Sequence, residues 1–99
     1  MVLTSQIISY LSSNKERYKR DFHLTKIGLF GSYARGEQTD KSDIDLIVEF
    51  EEETENLYLL KQTLKREIQS QFQLPVDICR EKYIKPVFKK QILSEVRYA

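Results

Sequence analysis

Two aspartates set two residues apart, Asp43 and Asp45, are the residues whose types and spacing speak most directly of chemistry. They open the run Asp43-Ile44-Asp45-Leu46-Ile47-Val48-Glu49-Phe50, otherwise rich in β-branched and apolar residues, which reads as a largely buried strand. In a strand, residues i and i+2 point to one face and lie about 6.6 Å apart along the chain. Carboxylates so placed can converge on shared cations, which stand about 3.5–4 Å apart in two-metal sites. Without a cation they repel, and one tends to take up a proton. Oxygen ligands that leave positions open for phosphate suit Mg²⁺. Taken alone, an Asp-x-Asp pair reads more simply as surface carboxylates at a solvent-facing strand end. Aspartate is a poor strand former, however, so two in an apolar run call for a reason.

A second segment stands just upstream, Gly31-Ser32-Tyr33-Ala34-Arg35-Gly36. A glycine at a strand end lets the backbone approach a ligand closely. Ser32 can open a short helix whose free N–H groups suit a phosphate; equally, it can be a plain N-cap after a tight turn. Arg35, one turn on, can pair with phosphate or with a nearby carboxylate. Tyr33 can line a nucleotide pocket or pack the short helix, and packing is the expectation. Gly36 stops the turn.

These segments need elements to hold them. Leu3, Ile7, Ile8 and Leu11 recur at helical spacing and predict a first helix from about Thr4 into the Lys-rich stretch. Thr25 to Phe30 reads as a short buried strand, and Glu37 to Ser42 as a polar loop. Leu57, Leu60, Leu64, Ile68 and Phe72 mark one face of a long helix, with Thr54 as its expected cap. Pro75 ends that region, and Pro75-Val76-Asp77-Ile78-Cys79 supplies another short strand. A last helix is predicted from Pro86, with Phe88, Ile92, Leu93 and Val96 facing the core. The order helix, strand, strand, helix, strand, helix implies an α/β (α+β) fold, a small mixed sheet with flanking helices.

The 99 residues have room for one compact domain, expected to span 1–99. A net charge of +1 argues against a nucleic-acid coat protein, whose affinity needs a basic excess. The basic run Lys15 to Arg20 and the acidic run Glu49 to Glu55 read as solvated surface. One cysteine, Cys79, allows no internal disulfide and fits a reducing, cytoplasmic setting, where it reads as a small buried hydrophobe. No stretch reads as a signal or a membrane span. His23 is the only histidine, without companions for zinc, and Tyr98 is expected at a frayed end.

The ordered combination Gly31, Ser32, Ala34, Arg35, Gly36, Ser42, Asp43, Asp45 and the apolar run after it resembles the signature of the nucleotidyltransferase superfamily typified by DNA polymerase beta. More narrowly it is similar to the minimal nucleotidyltransferase (MNT) group, the antitoxin partners of HEPN toxins. The resemblance covers about a fifth of the chain and implies the polymerase-beta-like palm fold. It further implies a third carboxylate on a later strand, for which Asp77, between Val76 and Ile78, is the candidate. A charge in so short an apolar strand is costly unless paired or bound to metal, although Pro75 also fits an exposed edge.

The resemblance implies nucleotidyl transfer. Gly31, Ser32 and Arg35 would bind the nucleotide, ATP being the expected one. Asp43, Asp45 and Asp77 would bind Mg²⁺, two ions in the fullest form. The acceptor would be a tyrosine of a HEPN toxin, silenced by transfer of AMP. Two rival readings stand beside it: a binding-only antitoxin that covers its partner, and a small-molecule or RNA nucleotidyltransferase that needs a partner subunit.

Overall fold

A computed structural model describes residues 1–99. The chain runs α1 (Thr4–Ser13), α2 (Lys15–Phe22), β1 (Leu24–Phe30), α3 (Ser32–Arg35), β2 (Ile44–Phe50), α4 (Leu57–Phe72), β3 (Val76–Arg80), a 3₁₀ turn (Glu81–Tyr83), α5 (Pro86–Glu95) and β4 (Arg97–Tyr98). The four strands form one sheet in the order β3-β2-β1-β4. β1 is antiparallel to both β2 and β4, whereas β2 and β3 run parallel, so the sheet is mixed. A parallel pair needs a crossover element, and α4 provides it.

One face of the sheet carries the main core. Ile44, Leu46, Val48 and Phe50 alternate along β2 and bury against Ile7 and Leu11 of α1, Tyr18 and Phe22 of α2, and Leu64 and Ile68 of α4. The other face of β2 carries Asp45, Ile47 and Glu49, of which only Ile47 is fully buried. Gly28 lies opposite Ile47 across the β1–β2 ladder. A Cβ on Gly28 would meet Val96 and Tyr98 side chains at 2.6 and 2.9 Å. The bare glycine therefore lets the chain after α5 settle flat on this face.

Four local expectations need correction. The first helix does not continue into the Lys-rich stretch but breaks at Asn14, which leaves helical geometry at φ −102°, ψ 3°. Its side-chain amide donates to Tyr10 O at 2.9 Å, and its Oδ1 accepts from Arg17, so Asn14 ends one helix and starts the next. Asparagine competes with the helix backbone in just this way. Thr54 does not cap α4; its hydroxyl donates to Glu51 O at 2.6 Å and closes the preceding turn, while Asn56 in the left-handed region leads into the helix. α5 starts at Pro86 as expected, but Phe88 points to solvent, and Ile92, Leu93 and Val96 are only half-buried. Tyr98 is not frayed: it pairs with Gly28 as the short outer strand β4.

Candidate active site

The local sequence that carries the site is built around a glycine in a conformation closed to other residues. Gly31 sits at φ 76°, ψ −156° between the end of β1 and α3. That region is populated essentially by glycine alone. The turn is then fixed by the backbone: Arg35 N–H donates to Gly31 O at 3.2 Å and Glu37 N–H to Ser32 O at 2.9 Å, with Gly36 in the left-handed region as the stop. Tyr33 packs α3 into the core and is buried, so the packing reading of this residue holds. Thr4 Oγ1 donates to Tyr33 O at 2.7 Å and ties α1 to the turn.

Asp45 is the second residue of β2 and lies between two partners in register: Phe30 of β1 on one side and Asp77 of β3 on the other. The parallel register is pinned where it matters, because Ile44 N–H donates to Pro75 O at 2.9 Å and Val76 N–H to Gln69 Oε1 at 3.2 Å. Two carboxylates thus occupy adjacent positions on one face of the sheet. Asp43 lies one residue before β2, on the exposed approach to it. Asp77 is exposed, while Asp45 is half-buried. A Cβ built on Gly31 would collide with the Asp45 carboxylate, so the glycine turn and the acid touch.

The electrostatics are those of an uncompensated cluster. Burial, then the Asp77 charge, then the Asp43 charge push the Asp45 carboxyl above its usual range, and the Arg35 field offsets this in part. None of the three aspartates takes part in an ion pair. Arg35, at the far end of α3, holds Glu37 at 3.0 Å and Glu95 of α5 at 3.1 Å; of its two possible partners, carboxylate is the one it has in this structure. The side chains do not close into a tight ligand set, since no group of three acids, histidines or cysteines converges to metal-holding distance. The donor chemistry nevertheless suits a hard divalent cation: anionic oxygens on adjacent strands, with no histidine and no cationic side chain occupying them.

The surface here is open. The larger hollows lie elsewhere, including one of about 370 Å³ between α2 and β1, lined by Lys15, Tyr18 and Lys26, and none of them is lined by Asp45 or Asp77. Sequence reasoning missed Phe30, half-buried beside Asp45. It also gave no hint that Cys79, half-buried on the Asp77 face, has its thiol pushed up by burial and by Asp77. Only the strand register reveals both.

The fold is that of a minimal nucleotidyltransferase: the chain superposes on a solved structure described as a candidate minimal nucleotidyltransferase with a TM-score of 0.79 and 28% identity, covering 97% of this chain and 95% of that one. Residues 7–99 match the model of the nucleotidyltransferase domain family, and the chain belongs to that family. It is 34% identical over 98 residues to the protein adenylyltransferase MntA of Thermococcus cleftensis, an alignment covering 99% of this chain and 97% of the relative. It is also similar to a chain from a crystal structure described as a toxin–antitoxin with AMP-PNP, at a TM-score of 0.66 and 26% identity, covering 87% of this chain and 69% of that one.

Proposed function

We propose that this chain is a Mg²⁺-dependent protein adenylyltransferase that moves AMP from ATP onto a tyrosine hydroxyl of a HEPN-domain toxin, and so acts as its antitoxin in the cytoplasm. The observation that carries the reading is the register pair Asp45–Asp77, with Asp45 set against Gly31 and no cationic side chain paired to either acid. The relatives support its direction, since one carries the name protein adenylyltransferase and a structural neighbour is a toxin–antitoxin with a nucleotide analogue.

Asp45 and Asp77, with Asp43 on the approach, would hold the metal, two ions in the fullest form. Bound there, Mg²⁺ supplies neutralisation of the triphosphate and a lowered pKa for a coordinated hydroxyl. The chain does the positioning. Gly31, without a side chain, admits the terminal phosphates close to the backbone, and Ser32 offers its N–H and hydroxyl at the head of α3. Arg35 adds positive charge at the other end of that turn. Asp77, the more exposed of the register pair, faces the incoming hydroxyl and favours loss of its proton. The acceptor oxygen bonds to the α-phosphorus, the bond to the bridging oxygen breaks, and pyrophosphate leaves with the electron pair. Because the acids lie on open surface, a second protein is suited to wall the site and bring the acceptor with it. The test is to mix the protein, its genomic neighbour, ATP and Mg²⁺ and search by mass spectrometry for a nucleotidyl adduct. An adduct on a neighbour tyrosine is expected; a complex that forms and carries no adduct sinks the proposal.

One observation favours a second reading. The three carboxylates are not drawn together as a finished ligand set, which suits a binding-only antitoxin. The two readings part on Asp43→Asn with Asp45→Asn, whose toxin neutralisation is lost if transfer is the mechanism and intact if coverage is.

A further inference from the structure

At the end of the sheet away from the acids, two oppositely charged surfaces lie next to each other. Parallel pairing brings the ends of β2 and β3 together, so the segments that follow them leave from the same place. After β2 comes the acidic turn with Glu52, Glu53 and Glu55, then the first turn of α4 with Tyr58 79% and Leu59 58% exposed. After β3 come Lys82, Lys85, Lys89 and Lys90, interleaved with Tyr83 69%, Val87 79% and Phe88 52% exposed. The seam is a shared groove lined by Glu52, Glu53 and Lys82, and Lys82 N–H donates to Glu49 Oε1 at 2.9 Å beneath it.

Neither set of charges meets an opposite charge within the chain, although Lys82 stands over the Tyr83 ring at 5.2 Å. Not one of these three glutamates or four lysines enters an ion pair, although Lys26, Arg17, Arg35 and Arg80 all find carboxylates. Five large apolar side chains standing in solvent beside them mark an interaction surface rather than scattered exposure. A minus patch next to a plus patch is self-complementary under a two-fold axis, because each patch of one copy then meets the opposite patch of the other. We propose that the chain forms a two-fold dimer through this end, the Glu52–Leu59 segment of one copy lying on the Lys82–Lys90 segment of its partner. A stable interface covers about 800 Å² per partner, roughly an eighth of the 6283 Å² surface of this chain, and two facing segments of this length are of that order. The arrangement leaves Asp45 and Asp77, at the opposite ends of the same strands, open in both copies.

Analytical ultracentrifugation of the full chain tests this. The protein sediments at twice its 11.8 kDa mass at low salt, and the dimer weakens as salt shortens the screening length from about 10 Å at 0.1 M to about 3 Å at 1 M. Lys85→Glu with Lys89→Glu, and separately Glu52→Lys with Glu55→Lys, each set like charges face to face and weaken the dimer about tenfold or more. Mixed one to one, the two variants restore both contacts and recover a heterodimer, which also shows that each is folded. A wild-type monomer at about 200 μM overturns the proposal and leaves this face to a different protein, as does a dimer that neither pair of reversals weakens or a mixture that stays monomeric.

Discussion

The same strand face carries two carboxylates four residues apart, and the protein treats them in opposite ways. Glu49, near the end of β2, takes Arg80 Nη2 at 3.0 Å on one oxygen and the Lys82 N–H at 2.9 Å on the other. Burial works against its charge, but those donors more than offset it and hold the carboxyl below its usual range. Asp45, at the start of β2, has carboxylates for neighbours and is pushed the other way. Nothing in the strand itself distinguishes the two positions. What differs is what the neighbouring strands set beside each: Asp77 and Phe30 flank Asp45, whereas Glu49 lies opposite Lys26 of β1 and accepts from Arg80 of β3. A half-buried charge that is paired becomes costly only when its partner is removed, whereas one left among like charges stores repulsion that a ligand can relieve.

The largest way to break the contrast is at the unpaired end. Asp45→Asn is expected to reduce nucleotidyl transfer by at least about 100-fold, on the scale of losing one transition-state charge contact, measured as adduct formation over time. In EDTA the same variant melts above the wild type by differential scanning fluorimetry, because one of three crowded charges is gone. A lower melting temperature would mean that Asp45 is structural. Gly31→Ala comes next: a methyl at φ 76° is strained and overlaps the Asp45 carboxylate, so a loss of about 2–4 kcal/mol of stability by denaturant titration is expected, together with loss of transfer.

At the paired end the signs reverse. Glu49→Gln keeps the shape but removes the charge held by Arg80 and Lys82, and is expected to cost about 1–2 kcal/mol of stability while leaving transfer within about twofold. Its pH signature is specific. Glu49 ionises more readily in the folded chain than at its ordinary value of 4.5, so its contribution is complete above that value and is lost as pH falls through the lower folded pKa. The wild type and Glu49→Gln should therefore converge in stability in acid and separate towards neutrality. The smallest effect is expected at Arg35→Ala. Its guanidinium is exposed and already joined to Glu37 and Glu95, so KM for ATP changes by only about two- to fivefold with the melting temperature nearly unchanged; a far larger rise in KM would make it a direct phosphate ligand.

How much of this could be read beforehand follows the range of the interactions. The Gly31-Ser32 turn, the β2 run and the apolar stripe of α4 are written in neighbouring residues, and each lies where periodicity and turn chemistry place it. The helix break at Asn14 and the turn closed by Thr54 escape local pattern because a short polar side chain has several backbone partners within reach, and packing decides among them. β4 has two residues and no pattern of its own; it exists because Gly28 leaves room for Tyr98. Phe88 faces solvent because α5 meets the sheet through its later residues, not through the turn that holds this ring. The placement of Asp77 against Asp45 depends on strand order and parallel register, neither of which local spacing encodes.

The contact between Gly31 and Asp45 carries a consequence for how such a chain can change over generations. The acid occupies the volume that a side chain at position 31 would need, so the two positions are a single steric unit. Any descendant that replaces the aspartate with something shorter removes one of the two constraints on the glycine, leaving only its backbone angle to resist substitution. Decay of the chemistry would thus lift the steric demand at position 31 while its backbone angle, on its own, goes on requiring glycine, so in a lineage kept only for binding the aspartate should be lost before the glycine.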